Sequence, residues 1–219
     1  MIECYLLRDK KPNESQVFCP LALANLKLTE SDQCCPTQPE FMVMAVIDTD
    51  ADMMGIYFDE TADANCITGV APYSQIPVFV IMTNPSVDAI GGFEFGYDLD
   101  GEATVLSTTL PENNIDVGYP GNHIVGLGSP LATTEATIVA TLNVMYMSTT
   151  NTPVSFTLHG SNPSSIDPAL PTILLDGGDL MTLGTSTLPG TMSALINGVC
   201  EDVVTTDEKT FDNLKSLYR

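Results

Sequence analysis

Asp48, Asp50 and Asp52 alternate as Asp-x-Asp-x-Asp, and Asp59 stands eleven positions after the first, which is close to the carboxylate spacing of a calcium-binding loop. The sixth position, where such a loop needs glycine for its turn, is Met53, and Met54 to Phe58 has the character of a strand rather than of an exiting helix. A solvated acidic approach to a strand competes with calcium here, and the residues suggest no other cofactor. Asp176 and Asp179 flank Gly177-Gly178 and could chelate a cation, although two glycines between two aspartates also describe a plain tight turn. His123 and His159 are the only histidines. Neither is accompanied by a nucleophile elbow or another local catalytic signature, so structural roles are expected of both and no catalytic residue is named. No Cys-x-x-Cys or His-x-x-x-His spacing offers zinc its converging ligands, and there is no phosphate-binding loop. Tryptophan is absent, which leaves Tyr57, Tyr73, Tyr119 and Tyr146 as stacking surfaces for a glycan or, equally, as core aromatics. Asn13-Glu14-Ser15 fits a glycosylation sequon.

Short strands separated by turn clusters must position these residues, as in a sandwich or barrel. The 16 glycines, 15 prolines and 16% charged residues favour strands and turns over long helices. Strands are expected over Met54–Asp59, Ile76–Thr83, Gly91–Leu99, Ala103–Leu110, His123–Leu127, Thr134–Met147, Pro153–Gly160, Thr172–Leu175 and Ala194–Asn197. In Gly91–Leu99 a period of two sets Phe93, Phe95, Tyr97 and Leu99 against Glu94, Gly96 and Asp98, the mark of a half-exposed strand. In Thr134–Met147 the same period groups Ile138 with Ala140, Leu142, Val144 and Tyr146. Ile76–Thr83 is nearly all apolar, as expected of a strand buried on both faces. Pro111 to Asn122 reads as a connection. Near the end, Phe211, Leu214, Leu217 and Tyr218 form a stripe on a short helix, a partner-docking element.

Of six cysteines, Cys4, Cys19, Cys34 and Cys35 lie in the first 35 residues, while Cys66 and Cys200 bracket the strand region. A bridge between the last two would close a loop of more than 100 residues, worth about 4 to 5 kcal/mol, and would place the chain in an oxidising compartment. Two independent buried thiols are the alternative. The formal charge is −21, and Glu30 to Glu208 contains no lysine or arginine. Nucleic acids and anionic membranes, which recruit basic surfaces, are therefore excluded as partners, whereas self-repulsion favours a soluble monomer. No apolar run is long enough to span a bilayer. The first residues lack the basic-then-apolar pattern of a secretory signal, so either another export route operates or residues 1–41 are not the natural start of the domain.

GGFEFGYDLDGEATVLSTTL, followed by TIVATLNVMYM and PVSFTLHG, resembles the cohesin-like branch of bacterial extracellular β-sandwiches between Ile76 and Gly160. A second similarity is to exported bacterial β-sandwich proteins with IGIYFD, VGLGSPL, ING-x-C and a tail of the form W-x-x-x-K-x-L-Y-R. Here these are Met54–Asp59, Val125–Leu131, Ile196–Cys200 and Phe211–Arg219, with Phe211 in place of tryptophan. The resemblance implies an antiparallel β-sandwich, jelly-roll or cohesin-like, over residues 42–203. An irregular or disordered extension (1–41) would precede it and a tail with a short amphipathic helix (204–219) would follow. It implies an extracellular, cell-surface or periplasmic module with a structural, adhesive or protein-interaction role. The alternative is a carbohydrate- or calcium-dependent binding protein acting through its loops. A hydrolase ranks third, because no nucleophile, base and orienter can be assembled. The partner expected is a protein or glycan.

Overall fold

The computed structural model describes residues 50–200 and 203, which form thirteen strands in two sheets with no α-helix among them. The extension 1–41 and the tail 204–219, for which a short helix is expected, lie outside the described residues. In chain order the strands are β1 (Met53–Tyr57), β2 (Cys66–Ile67), β3 (Gln75–Thr83), β4 (Ala89–Asp100), β5 (Ala103–Thr109), β6 (Asn114–Asp116) and β7 (Asn122–Ala132), followed by β8 (Ala136–Tyr146), β9 (Val154–His159), β10 (Thr172–Leu175), β11 (Leu180–Thr182), β12 (Gly184–Thr185) and β13 (Ala194–Ile196). The first sheet runs β12-β1-β3-β8-β5 and the second β11-β10-β4-β9-β13-β2, with β7 also on β4 and β6 on β7. Most pairs are antiparallel. Two short pairs at the sheet edges, β1 with β12 and β2 with β13, are parallel, a departure from the purely antiparallel expectation.

Alternation produces the core. The inner face of β4 brings Phe93, Phe95 and Tyr97 against Val78, Val80, Leu142, Val144 and Tyr146 of the other sheet, all in one buried cluster. A smaller cluster on the outer face of the first sheet joins Tyr57, Phe79 and Ile81 to Ala62 in the turn after β1. That turn buries the second face of β3, which accounts for its unbroken apolar run.

Ile138 departs from the expected grouping. The β3–β8 register shifts between Val80 and Ile81, opposite Ala140 and Ile138, so Val139 is a bulge residue. Val139 and Ala140 both turn into the main core, and Ile138 joins the outer cluster.

Register also shows that β9 and β10 are one strand interrupted. Gly96 stands opposite both Asn122 and His159, and Glu94 opposite both Ile124 and Thr172. β9 and β10 therefore follow one another on the same side of β4, and residues 160–171 loop out between them. The loop closes tightly on Gly160, where a Cβ would stand 2.5 Å from the Asp167 carbonyl oxygen and 2.6 Å from that of Leu170. Cys66 and Cys200 are joined by a disulfide with a Cα–Cα distance of 5.5 Å, spanning 134 positions of sequence.

Candidate functional site

The acidic residues do not converge. Asp48 lies outside the described residues, and β1 separates Asp52 from Asp59 by about 20 Å at the ordinary rise of a strand. Asp52, with φ of 59°, accepts the Ser86 N–H at 2.7 Å. The Asp50 carbonyl accepts from Asn84 Nδ2. Asp59 accepts the N–H groups of Asp63 and Ala64 at 2.9 and 3.2 Å, which shapes the turn that lays Ala62 on the outer cluster. Asp176 and Asp179 close the β10–β11 hairpin, in which Gly178 has φ of 91° and the Leu175 N–H donates to the Asp179 carbonyl. Among the described residues no group of three or more His, Cys, Asp or Glu side chains is arranged to hold a metal ion.

The two histidines do different structural work. His123, on the inner face of β7, is 5% exposed and packs against the rings of Phe95 and Tyr97 at 5.1 and 6.2 Å. Its Nδ1 lies 2.7 Å from Asp116 Oδ2; the carboxylate can only accept, so Nδ1 carries the proton. Nε2 is buried without a hydrogen-bond partner. His159 donates from Nδ1 to the Gly160 carbonyl at 2.6 Å, and its Nε2 stands 3.7 Å from Asp98. Neither histidine bonds to a serine or cysteine among the described residues.

Asp116 is the hub of the β6–β7 hairpin. Burial alone raises its pKa, but the bond from His123 and the N–H groups of Gly118 and Ile124 outweigh that, and the carboxyl is held below 3.8. A folded-state pKa below the unfolded one gives stability that is present above pH 3.8 and disappears as pH falls through the folded value. Acid titration of stability should therefore show a shallower loss below pH 3.8 for Asp116→Asn than for the parent chain. Equal slopes would remove the carboxylate from this role.

The 160–171 loop is clamped on the outer face of the second sheet. Glu94, 5% exposed, accepts from Ser165 N at 2.8 Å and from Ser165 Oγ at 2.9 Å. Asn122 accepts the Asn162 N–H at 2.6 Å and donates to the Asn162 carbonyl at 3.1 Å. The outward face of β4, expected to be half exposed, is thus covered at Glu94 by a segment about 70 residues away in sequence.

Two of the four tyrosines offered for stacking, Tyr57 and Tyr146, are fully buried, whereas Tyr73 and Tyr119 are 66% and 56% exposed. The most exposed apolar surface falls in the stretch taken for a connection. Ile115 and Val117 are 72% and 71% exposed, and with Tyr119 they repeat at every second residue along β6 and its continuation, where Val117 and Tyr119 bond to Ile124 and Asn122. Pro111, Asn113, Gly118 and Pro120 disguised this strand. The alternation Ile115-x-Val117-x-Tyr119 was the available signal. The stripe Phe211, Leu214, Leu217 and Tyr218, and the cysteines Cys4, Cys19, Cys34 and Cys35, lie outside the described residues.

The described residues define an all-β, two-sheet sandwich. No family model matches the chain, and no curated protein matches it. Solved structures similar to it are cohesin modules. The sixth cohesin of Acetivibrio cellulolyticus scaffoldin B, in complex with a Cel5 dockerin, is 15% identical with a TM-score of 0.46, covering 66% of this chain and 96% of that one. The third ScaB cohesin of R. flavefaciens, in complex with a group 1 dockerin, is 15% identical with a TM-score of 0.44, over 68% and 96%. A non-cellulosomal cohesin of the archaeon Archaeoglobus fulgidus is 12% identical with a TM-score of 0.39, over 74% and 97%. These likenesses concern the fold, and no binding residue is carried over from them. Among the described residues no helix is long and apolar enough to cross a membrane.

Proposed function

We propose that this chain is a non-catalytic, extracytoplasmic β-sandwich module that binds another protein. The observation that carries this is the Ile115, Val117 and Tyr119 stripe on an edge hairpin. Contiguous apolar side chains on an edge strand are a liability in water, and in a soluble protein they mark a contact surface. The hairpin is held in shape by Asp116, which organises its backbone from the opposite face. Residues 50–200 contain no lysine or arginine, so the complementary partner surface is apolar at its centre and basic at its rim. The Cys66–Cys200 disulfide supports an oxidising compartment.

The test is photo-crosslinking in the envelope and secreted fractions of the source organism, with a benzophenone amino acid placed at position 119 or, as control, at the somewhat more exposed position 73. Position 119 should capture one protein that position 73 does not. Ile115→Ser with Val117→Ser should weaken that complex by about tenfold or more while moving Tm by less than about 2 °C, since these side chains bury little in the free module. Equal capture from both positions, or capture unaffected by the double substitution, would sink the proposal.

A further inference from the structure

The first sheet is open along part of one edge. β5 pairs with β8 from Ala103–Tyr146 to Thr109–Thr141, then leaves through residues 110–113 to become β6 of the other sheet. β8 continues beyond that point toward Ala136, bonded on its far side to β3 alone. The Ala136 carbonyl is taken by Thr134 Oγ1. Alternation along the strand turns Thr137 toward β3, and the bulge at Val139 turns Val139 and Ala140 the same way, so Ile138 presents its N–H and carbonyl on this edge with no ladder partner among the described residues. Opposite this edge β7 swings outward, its register with β4 slipping between Gly92–Gly126 and Ile90–Leu131, so that Leu127 to Pro130 are extruded. The cavity between edge and bulge is about 490 Å³, with Leu110, Leu127, Leu131 and Val139 supplying apolar wall and Glu112 and Ser129 supplying polar wall.

We propose that this groove takes a short extended segment of a partner polypeptide, added as a further strand to β8, with an apolar side chain in the cavity and a lysine or arginine beside Glu112. The Ile138 N–H and carbonyl are matched by one residue of another extended backbone, and a pocket beside that position gives such an addition its specificity. The cationic requirement follows from charge. Glu112 lines the cavity and the described body carries no lysine or arginine to pair with it. The body of a second copy of this chain, itself without lysine or arginine between Glu30 and Glu208, fails that requirement. The groove uses none of the Ile115, Val117 and Tyr119 side chains, and the inference stands independently of that stripe.

The probe is fluorescein-labelled acetyl-Lys-Val-Thr-Val-Lys-Val-amide, titrated into the full chain with its disulfide intact and read by fluorescence anisotropy. Saturable binding is expected, together with about tenfold slower amide exchange at Ile138. Ser129→Trp, which fills the groove, and Glu112→Lys, which reverses its charge, should each weaken binding by about tenfold. The same peptide N-methylated at alternate residues along one edge should not bind, because it cannot complete the ladder. Absence of binding by the unmodified peptide overturns the proposal, as does equal binding of the methylated one. Exchange protection on β6 in place of β8, or self-association of the chain that Ser129→Trp abolishes, would reassign the surface and overturn it too.

Discussion

Replacing Cys66 and Cys200 together by serine is expected to lower the unfolding free energy by about 5 kcal/mol and Tm by roughly 10 to 20 °C. The size comes from the length of the loop, 134 positions, whose closure the bridge imposes on the unfolded chain. Burial contributes little, because Cys66 is half-buried and Cys200 is exposed, so the serines leave no deep void. The effect is therefore on the unfolded state, and it should appear as a shift of the whole transition. Thermal and urea unfolding of the double variant beside the oxidised parent measures it. A loss below about 1 kcal/mol would mean that the unfolded chain already holds these ends together.

Phe95→Ala should cost about 3 to 5 kcal/mol. Phe95 is fully buried at the middle of β4, the strand that touches three others, and its ring lies 6.0 Å from Phe93 and 5.1 Å from His123. Phe95 lies within the apolar core cluster, where a void offers a water molecule too few polar partners to hold it, so the loss falls toward the upper end of the range. The urea midpoint gives the value. A cost under about 1 kcal/mol would show that β4 does not anchor the core.

Strands with several alternating apolar residues were legible from sequence, because one buried face and one outer face impose the period directly. Thr172–Leu175 matches β10 to the residue, and β4 and β8 differ from expectation only at their ends. The strands β2, β11 and β12 have two or three residues each, too few for any period to register. Ile138 was misplaced because a single bulge residue inverts the faces beyond it, and nothing in the local sequence marks it. Glu94 looked solvated for the same reason that a strand read alone cannot know what covers it: its partner, Ser165, lies in a loop much later in the chain. The Asp116–His123 pair was missed because the hairpin that brings them together was taken for a connection. The Asp52 and Asp59 pair failed as a site through the strand between them, whose existence the sequence had itself indicated.

The two parallel pairings carry a consequence for the order in which the molecule can be made. β2 has one ladder partner, β13, and β1 closes its outer edge only with β12. A chain emerging from the ribosome amino end first must wait for residues 184–196 before either edge can be finished, so completion is a late, whole-chain event. The Cys66–Cys200 bond then acts as a latch, set once the last strand has arrived.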